Sequence, residues 1–510
     1  MPATRYTRAR LYIDWSRTGV YVEETDRLVS ASGTWRRNNP EDSITSPRGI
    51  VSQATITLIN HDGRFSTINE DGPLSTYIQS GGYYQAPMYL TVEDDLDEER
   101  IFTGVIKGPQ EVGGNIENIG QITFDCRSRE ELLLQQKVST DQTTVKSYHD
   151  DGRSEAGFIL AWLVLAGIDP ADFIHDPGNF VIPWAWLDNE SPLEDIWQLA
   201  AAGGGAFYTD PEGKFIYETM SHWVGEVEDT SYYEAFTDND YSRGSVKIND
   251  DELYQTVIVE VASRNVAGSA VVWDSPEQVS VPTGSTKVVT ANLQQPLYQL
   301  DFIGYDPSSA GGLDMTANIT GSTAAYAQRI EVTFINTATT HAAQIRNFKI
   351  YGKALNGGPV TEIKRTSTNA FWENRSGRTR TVSSPYIQSQ TQGTALADFL
   401  LQRHELPRVF YSLSDCKGKT SRRLGQRIVI QAGRLTSTDR PALITSIAWR
   451  WSATGGFVQN LEAFDCFNLF PYALTNELDP GRAAWPQYLR LGTDLISDGS
   501  DPANDHRVFY

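Results

Sequence analysis

Apolar and polar residues alternate with period two along most of this chain. Ala54, Ile56 and Leu58 alternate with Gln53, Thr55 and Thr57. Met88, Leu90 and Val92 share one strand face, as do Ile122, Phe124 and Cys126. Such alternation puts one face of a strand in a core and the other in solvent. Residues 1–135 therefore predict an all-β unit. The period changes over residues 136–245. Ser154 predicts the N-cap of a helix running to about Ala166, with Gly167 behind it. In "SPLEDIWQLAAAGGG", Ser191 reads as an N-cap, Pro192 as the first helical residue and Glu194 as the partner in a capping box. Leu193, Ile196, Trp197 and Ala200 fall on one face of that helix. A hairpin follows, turning on Asp210-Pro211-Glu212-Gly213. Together these elements predict a small α+β domain.

Short strands rich in Val, Ile and Thr return over residues 266–365; Ile330, Val332 and Phe334 alternate there. About 100 residues of this pattern predict an immunoglobulin-like β-sandwich. It interrupts residues 246–265 plus 366–470, which predict a second β-domain carrying a helix over 392–404 with Ala395, Leu396, Phe399 and Leu400 on one side. Residues 471–510 are polar and rich in Pro, Gly and Asp, the composition of an extended or partner-bound tail.

The two β-domains share a tripeptide. Phe124-Asp125-Cys126 recurs as Phe464-Asp465-Cys466 in a chain with only three cysteines. Residues 101–105 align with 443–447, and Gly113-Gly114 then falls on Gly455-Gly456. Three strands in register, closing on one rare tripeptide, predict an internal duplication with Cys126 and Cys466 at equivalent positions. The aspartates of both copies are expected on the opposite sheet face from Phe and Cys. The fold class is thus mainly β: two duplicated antiparallel tube-like β-barrels, a small α+β domain and an inserted sandwich.

Composition narrows the function. A net charge of −21 opposes gripping a nucleic-acid backbone and suits a surface past which a polyanion slides. No apolar run reaches the roughly 18 residues of a membrane helix; the longest, "FILAWLVLAGI", has the length of a buried helix. The N-terminus carries no apolar signal core, so assembly in a cytoplasm is expected. Three cysteines, Cys126, Cys416 and Cys466, make no disulfide framework and no CxxC pair.

Candidate chemistry is sparse. His61-Asp62-Gly63-Arg64 reads as a turn rather than a catalytic group, and Asp94 to Glu99 as a solvated hairpin tip rather than a metal site. Gly203 to Gly205 follow a helix and lack the lysine of a phosphate loop. His404-Glu405 lacks the second histidine that zinc needs. Trp449 and Trp451 share a strand face, either as a sugar-stacking platform or, the preferred reading, as a core or interface. No catalytic, cofactor-binding or metal residue is assigned, and no enzymatic activity or cofactor is expected.

The order of several segments resembles phage tail hub proteins, the baseplate hub and tail-associated minor tail family. "ITLINHDGRFS", "GPLSTYIQSG", "RIFTGVI" and "ITFDCRSREELL" look like their first barrel. "IWQLAAAGGGAFYTDPEGKFIYE" resembles their middle domain. "SSPYIQSQTQGTALADFLLQRHELPRVFYSLS" with "LGQRIVI" is similar to their second barrel. The resemblance implies a homotrimer in the virion tail tip that joins a hexameric tube to a threefold tip and lines part of the DNA-ejection channel. It implies distal tail or tube proteins above, a tape measure protein in the lumen and tip or fibre proteins below, with DNA passing unbound. The hub of a gene transfer agent or injection machine fits the same residues. A carbohydrate-binding adhesin or glycan-degrading enzyme at a cell surface is the competing reading.

Overall fold

The computed structural model describes residues 8–37, 51–66, 69–75, 85–94, 97–112, 120–220, 233–249, 253–373, 375–436 and 438–465. The fold is mainly β. The first unit contains β1 (Arg8–Ile13), β2 (Val22–Glu23), β3 (Leu28–Arg36), β4 (Gln53–Ile59), β5 (Pro87–Asp94), β6 (Asp97–Val112) and β7 (Gln121–Ser128). Helices α1 (Glu130–Gln135), α2 (Gln142–Asp151), α3 (Glu155–Leu165) and α4 (Pro192–Ala202) come next, with the hairpin β8 (Ala206–Thr209) and β9 (Phe215–Glu218). Then follow β10 (Glu234–Phe236), β11 (Arg243–Asn249) and β12 (Thr256–Val266). The long strand β13 (Ala343–Thr366), β14 (Thr379–Ser383) and helix α5 (Gln390–His404) lead into β15 (Arg408–Lys417), β16 (Arg427–Ile430), β17 (Arg440–Ser452) and β18 (Gly456–Asp465).

Two six-stranded units follow the same path. The first is ordered β1-β5-β6-β7-β4-β3 and the second β10-β16-β17-β18-β15-β11. In chain order each runs first, fourth, fifth, sixth, third, second. All pairings within them are antiparallel except β10 with β16, which is parallel. With β2 at one edge, the units merge into one sheet of 13 strands. Each unit also has a bulge at the same place. Pairing shifts between Ile106 and Gly108 on β6, and between Ile444 and Ser446 on β17. A bulge inserts one residue and bends its strand, so it makes a register landmark.

That landmark corrects the tripeptide alignment. Ile106 faces Cys126 and Ile444 faces Ala463, so Ala463 is the counterpart of Cys126, and Leu461 that of Phe124. Phe464 and Asp465 of the second tripeptide are displaced three residues along the strand from the places of Phe124 and Asp125. An odd displacement reverses the face of every side chain. Phe124 joins the core shared by the two units, as do Leu461 and Ala463, whereas Phe464 lies under the Arg403 guanidinium of α5 at 5.3 Å. Asp125 is accordingly half-exposed beside Arg127, while Asp465 is buried and accepts a hydrogen bond from the Tyr411 hydroxyl at 3.1 Å. The match of residues 101–105 with 443–447 is out of the observed register as well. Cys466 lies outside the described residues. Both phenylalanines are nevertheless 1% exposed. Phe124→Ala and Phe464→Ala are each expected to destabilise by about 3–5 kcal/mol, read as a lowered urea midpoint; wild-type midpoints would contradict the packing on both faces.

A second core joins distant segments. Phe158, Trp162, Leu193, Ile196 and Leu199 from α3 and α4 pack with Val257, Val259 and Val261 of β12, Val382 of β14, and Ala395, Leu396 and Phe399 of α5. Residues 256–266 and 379–404 thus sit with the helices of the α+β region, rather than inside the second six-stranded unit. The alternating valines of β12 present one face to the apolar side of α5, and this pairing outweighs chain proximity. Ser154 caps α3 through the amide of Gly157 at 3.4 Å. Ser191 occupies the N-cap position of α4 with Pro192 behind it, but its side chain makes no capping bond; the hydroxyl donates to the Leu133 carbonyl at 3.2 Å instead.

Residues 270–350 build their own core around Val281, Ala291, Ile330, Val332, Phe334, Ile345, Phe348 and Ile350. One layer is the strands Thr286–Asn292, Arg329–Asn336 and Ile319–Ala325. The other gathers Ala270–Asp274, Val279–Val281 and Leu297–Ser309 on β13. Beyond Leu355 the same strand runs on to pair with β12, so β13 ties the sandwich to the second core.

Candidate assembly site at the seam between the two units

The units meet where β3 pairs with β17, from Ser30 opposite Ser452 to Arg36 opposite Ser446. Gly33 stands opposite Trp449. A Cβ at Gly33 would lie 2.5 Å from the Trp449 ring and 2.8 Å from the Gln53 carbonyl oxygen. Glycine inside a strand marks such close approach. The indole is 2% exposed and sits 6.3 Å, centroid to centroid, from both Trp35 and Phe102. Trp451 is buried in the same core. The two tryptophans are therefore seam and core residues, and they offer no exposed platform for a sugar.

A polar knot closes one end of the seam. Arg37 follows β3, and its backbone amide donates to the Thr445 carbonyl at 3.2 Å. Its side chain forms an ion pair with Glu218, the last residue of β9. The Tyr208 hydroxyl donates to the same carboxylate at 2.8 Å. Burial pulls the Arg37 guanidinium down from its usual value, and the Glu218 charge opposes that. Gly425, at φ +77°, brings the turn before β16 against the knot. Three bodies thus converge on one buried ion pair: both six-stranded units and the β8–β9 hairpin.

A second knot braces the far unit. Arg422 is fully buried and reaches Glu234 of β10 through two nitrogens, at 2.8 and 3.0 Å. It also donates to Gln459 at 2.7 Å and to the Lys417 carbonyl at 2.6 Å. Burial alone would raise the Glu234 carboxyl, but hydrogen bonds from Arg422 and Lys419 outweigh it and hold the group below its ordinary value. Such fork geometry is what guanidinium provides and lysine does not.

The other sequence candidates fall into structural roles. Arg27 clamps Asp62 at 2.8 and 2.6 Å, which holds that carboxyl well below its usual range. Arg64 pairs with Glu24 at 2.6 Å, and Gly63 takes the positive φ of the turn. At the acidic hairpin, Glu98 pairs with Arg10 at 3.1 Å; the tip residues Asp95 and Leu96 lie outside the described residues. His404 is buried, 3.0 Å from Arg380 and edge-on to the Tyr254 ring. Gly204, at φ +68°, ends α4, and Gly205 passes against the Glu218 backbone. Burial pushes the Cys126 thiol up, and the Cys416 thiol to about 12, so neither is a nucleophile. Among the described residues, no group of three His, Cys, Asp or Glu side chains could hold a metal ion. No described helix is long and apolar enough to cross a membrane. Sequence reasoning missed Arg37, Glu218 and Arg422, because partners so distant in the chain leave no local signal. Gly33 could have been found, as a glycine inside an alternating strand.

One buried acid is poised near neutrality. Glu155, at the start of α3, is fully buried, and burial raises its carboxyl from 4.5 to about 7, although the amide of Phe180 donates to it at 3.2 Å. The folded state therefore holds this proton more tightly than the unfolded chain. Its contribution to stability is complete below about pH 4.5 and is lost as pH rises through 7. At about 1.4 kcal/mol per pH unit the window is worth about 3 kcal/mol at most. Glu155→Gln should gain on wild type by up to that amount between pH 5 and pH 8 in urea melts. An unchanged gap across that range would refute the assignment.

No family model matches the chain, and no curated protein matches it. Solved structures do. The solved structures similar to it include tail proteins. A tail protein from Neisseria meningitidis aligns over 92% of this chain and 99% of its own, at 8% identity and a TM-score of 0.46. A 43 kDa tail protein of a Shewanella oneidensis prophage aligns over 90% and 98%, at 9% identity and 0.44. A prophage tail protein from Listeria monocytogenes aligns over 89% and 94%, at 9% identity and 0.40.

Proposed function

We propose that this chain is a structural virion protein, the trimeric hub at the distal end of a phage tail. It adapts the hexameric tail tube to a threefold tip and forms part of the channel through which DNA leaves. The observation that carries this reading is the repeated strand path, with its repeated bulge, inside one chain. A threefold object can meet a sixfold one when each chain offers two similar surfaces. The two units are the surfaces, the α+β region and its second core brace them, and the sandwich is an accessory module. Tube proteins contact one side of the ring and tip or fibre proteins the other. The net charge of −21 suits a lumen that passes DNA without holding it.

The test is immunogold labelling of intact particles with antibody against this chain. Label at the distal end of a tail supports the hub. Particles without label, together with binding of the purified protein to cell-surface glycan, would replace it with the adhesin reading.

A further inference from the structure

The internal seam identifies two strand edges that it leaves open. On β17, residues 446–452 pair with β18 on one side and with β3 on the other. The counterpart stretch on β6 is residues 108–112, by the shared bulge. It pairs with β7, while β5 reaches only Val105. Its second edge has no strand partner among the described residues, and a Cβ at Gly108 would meet nothing within 4 Å. The counterpart of β3 is β11. It pairs with β15 and ends the sheet. Its Val246 and Ile248 are 41% and 62% exposed. An edge strand of seven residues with exposed apolar side chains is a template for another chain.

We propose that β11 of one copy pairs antiparallel with residues 108–112 of β6 in the next copy, repeating the internal seam between chains. The proposal deepens the trimeric hub reading and rests on it. The register follows from the seam. Cys126 corresponds to Ala463, so Ala54 corresponds to Tyr411 and Gly33 to Val246. Thr34 faces Ala448 within the chain; its counterpart is Lys247 facing Gln110 of the next copy. Ile248 then faces Pro109, which has no amide hydrogen to donate, so this ladder is weaker than the internal one. The two open edges lie on different units of one chain, so the contact is head to tail. A head-to-tail contact closes into a ring or grows into a filament. On the hub reading, alternating internal and intermolecular seams close the ring at three chains.

The test is the double variant Gln110→Cys with Lys247→Cys, oxidised mildly and run without reductant. Thr34→Cys with Ala448→Cys, across the internal seam, is the control for geometry and should form its bond within one chain. Covalent species rising to a trimer and no further are expected. Ile248→Asp, at an exposed position, should leave the melting temperature of the monomer unchanged and abolish the trimer. A double variant that is trimeric in solution yet stays unlinked, while the control closes, overturns the pairing and leaves the hub standing. A ladder running past three overturns the ring. A protein monomeric at every concentration overturns the hub reading itself.

Discussion

Glu218→Gln is expected to lower stability by about 3–5 kcal/mol, the cost of leaving one member of a buried ion pair without its counter-charge. Arg37 is 4% exposed and its ion pair with Glu218 lies where both six-stranded units meet the β8–β9 hairpin. Glutamine keeps the shape but removes the charge that offsets guanidinium desolvation. The Tyr208 hydroxyl keeps an acceptor, so the loss is mainly the uncompensated charge. Replacing both partners, as Arg37→Met with Glu218→Met, should recover most of the loss, because no buried charge then remains. Urea unfolding of wild type and the two variants decides the matter. A single variant within about 1 kcal/mol of wild type would show that the pair does not anchor the junction.

Trp449→Ala should cost a similar amount, about 3–5 kcal/mol, through lost burial and the cavity left between Trp35 and Phe102. Gly33→Ala attacks the same contact from the other strand and should cost about 1–3 kcal/mol by overpacking. The two changes should not add. Without the indole, the methyl group at position 33 loses its nearest clash, so the double variant should be more stable than the sum of the single losses. Contacting residues couple in this way. Additive losses would mean that the Gln53 backbone, 2.8 Å from the added carbon, sets the penalty instead.

The duplication illustrates how a sequence clue can mislead in detail. The recurring tripeptide drew attention to β7 and β18, which do occupy the same place in the two strand paths. Phe464 and Asp465 stand three residues out of register with Phe124 and Asp125, and Phe124 and Phe464 face opposite sides of the sheet. Periodicity records that a strand has a buried face. It does not record which neighbour lies opposite, and a second buried layer, here α5 over Phe464, makes both faces apolar. The same limit explains Ser191. Its neighbours carry every mark of a capping box, yet the Leu133 carbonyl takes its hydroxyl.

The sequence by itself determined the mainly β character, the helix behind Ser154, a helix over 392–404 that the structure begins at Gln390 and the Asp210–Gly213 turn, and it favoured a core or interface place for the paired tryptophans. Each depends on local pattern: period, turn chemistry or the pairing of apolar faces. Only the tertiary structure decided the common strand path, the merging of both units into one sheet, the partners of Arg37 and Arg422, and the sharing of the second core among four distant segments. These depend on contacts between residues far apart in the chain, where a hydrogen-bonded ladder or a buried charge selects its partner by position in space.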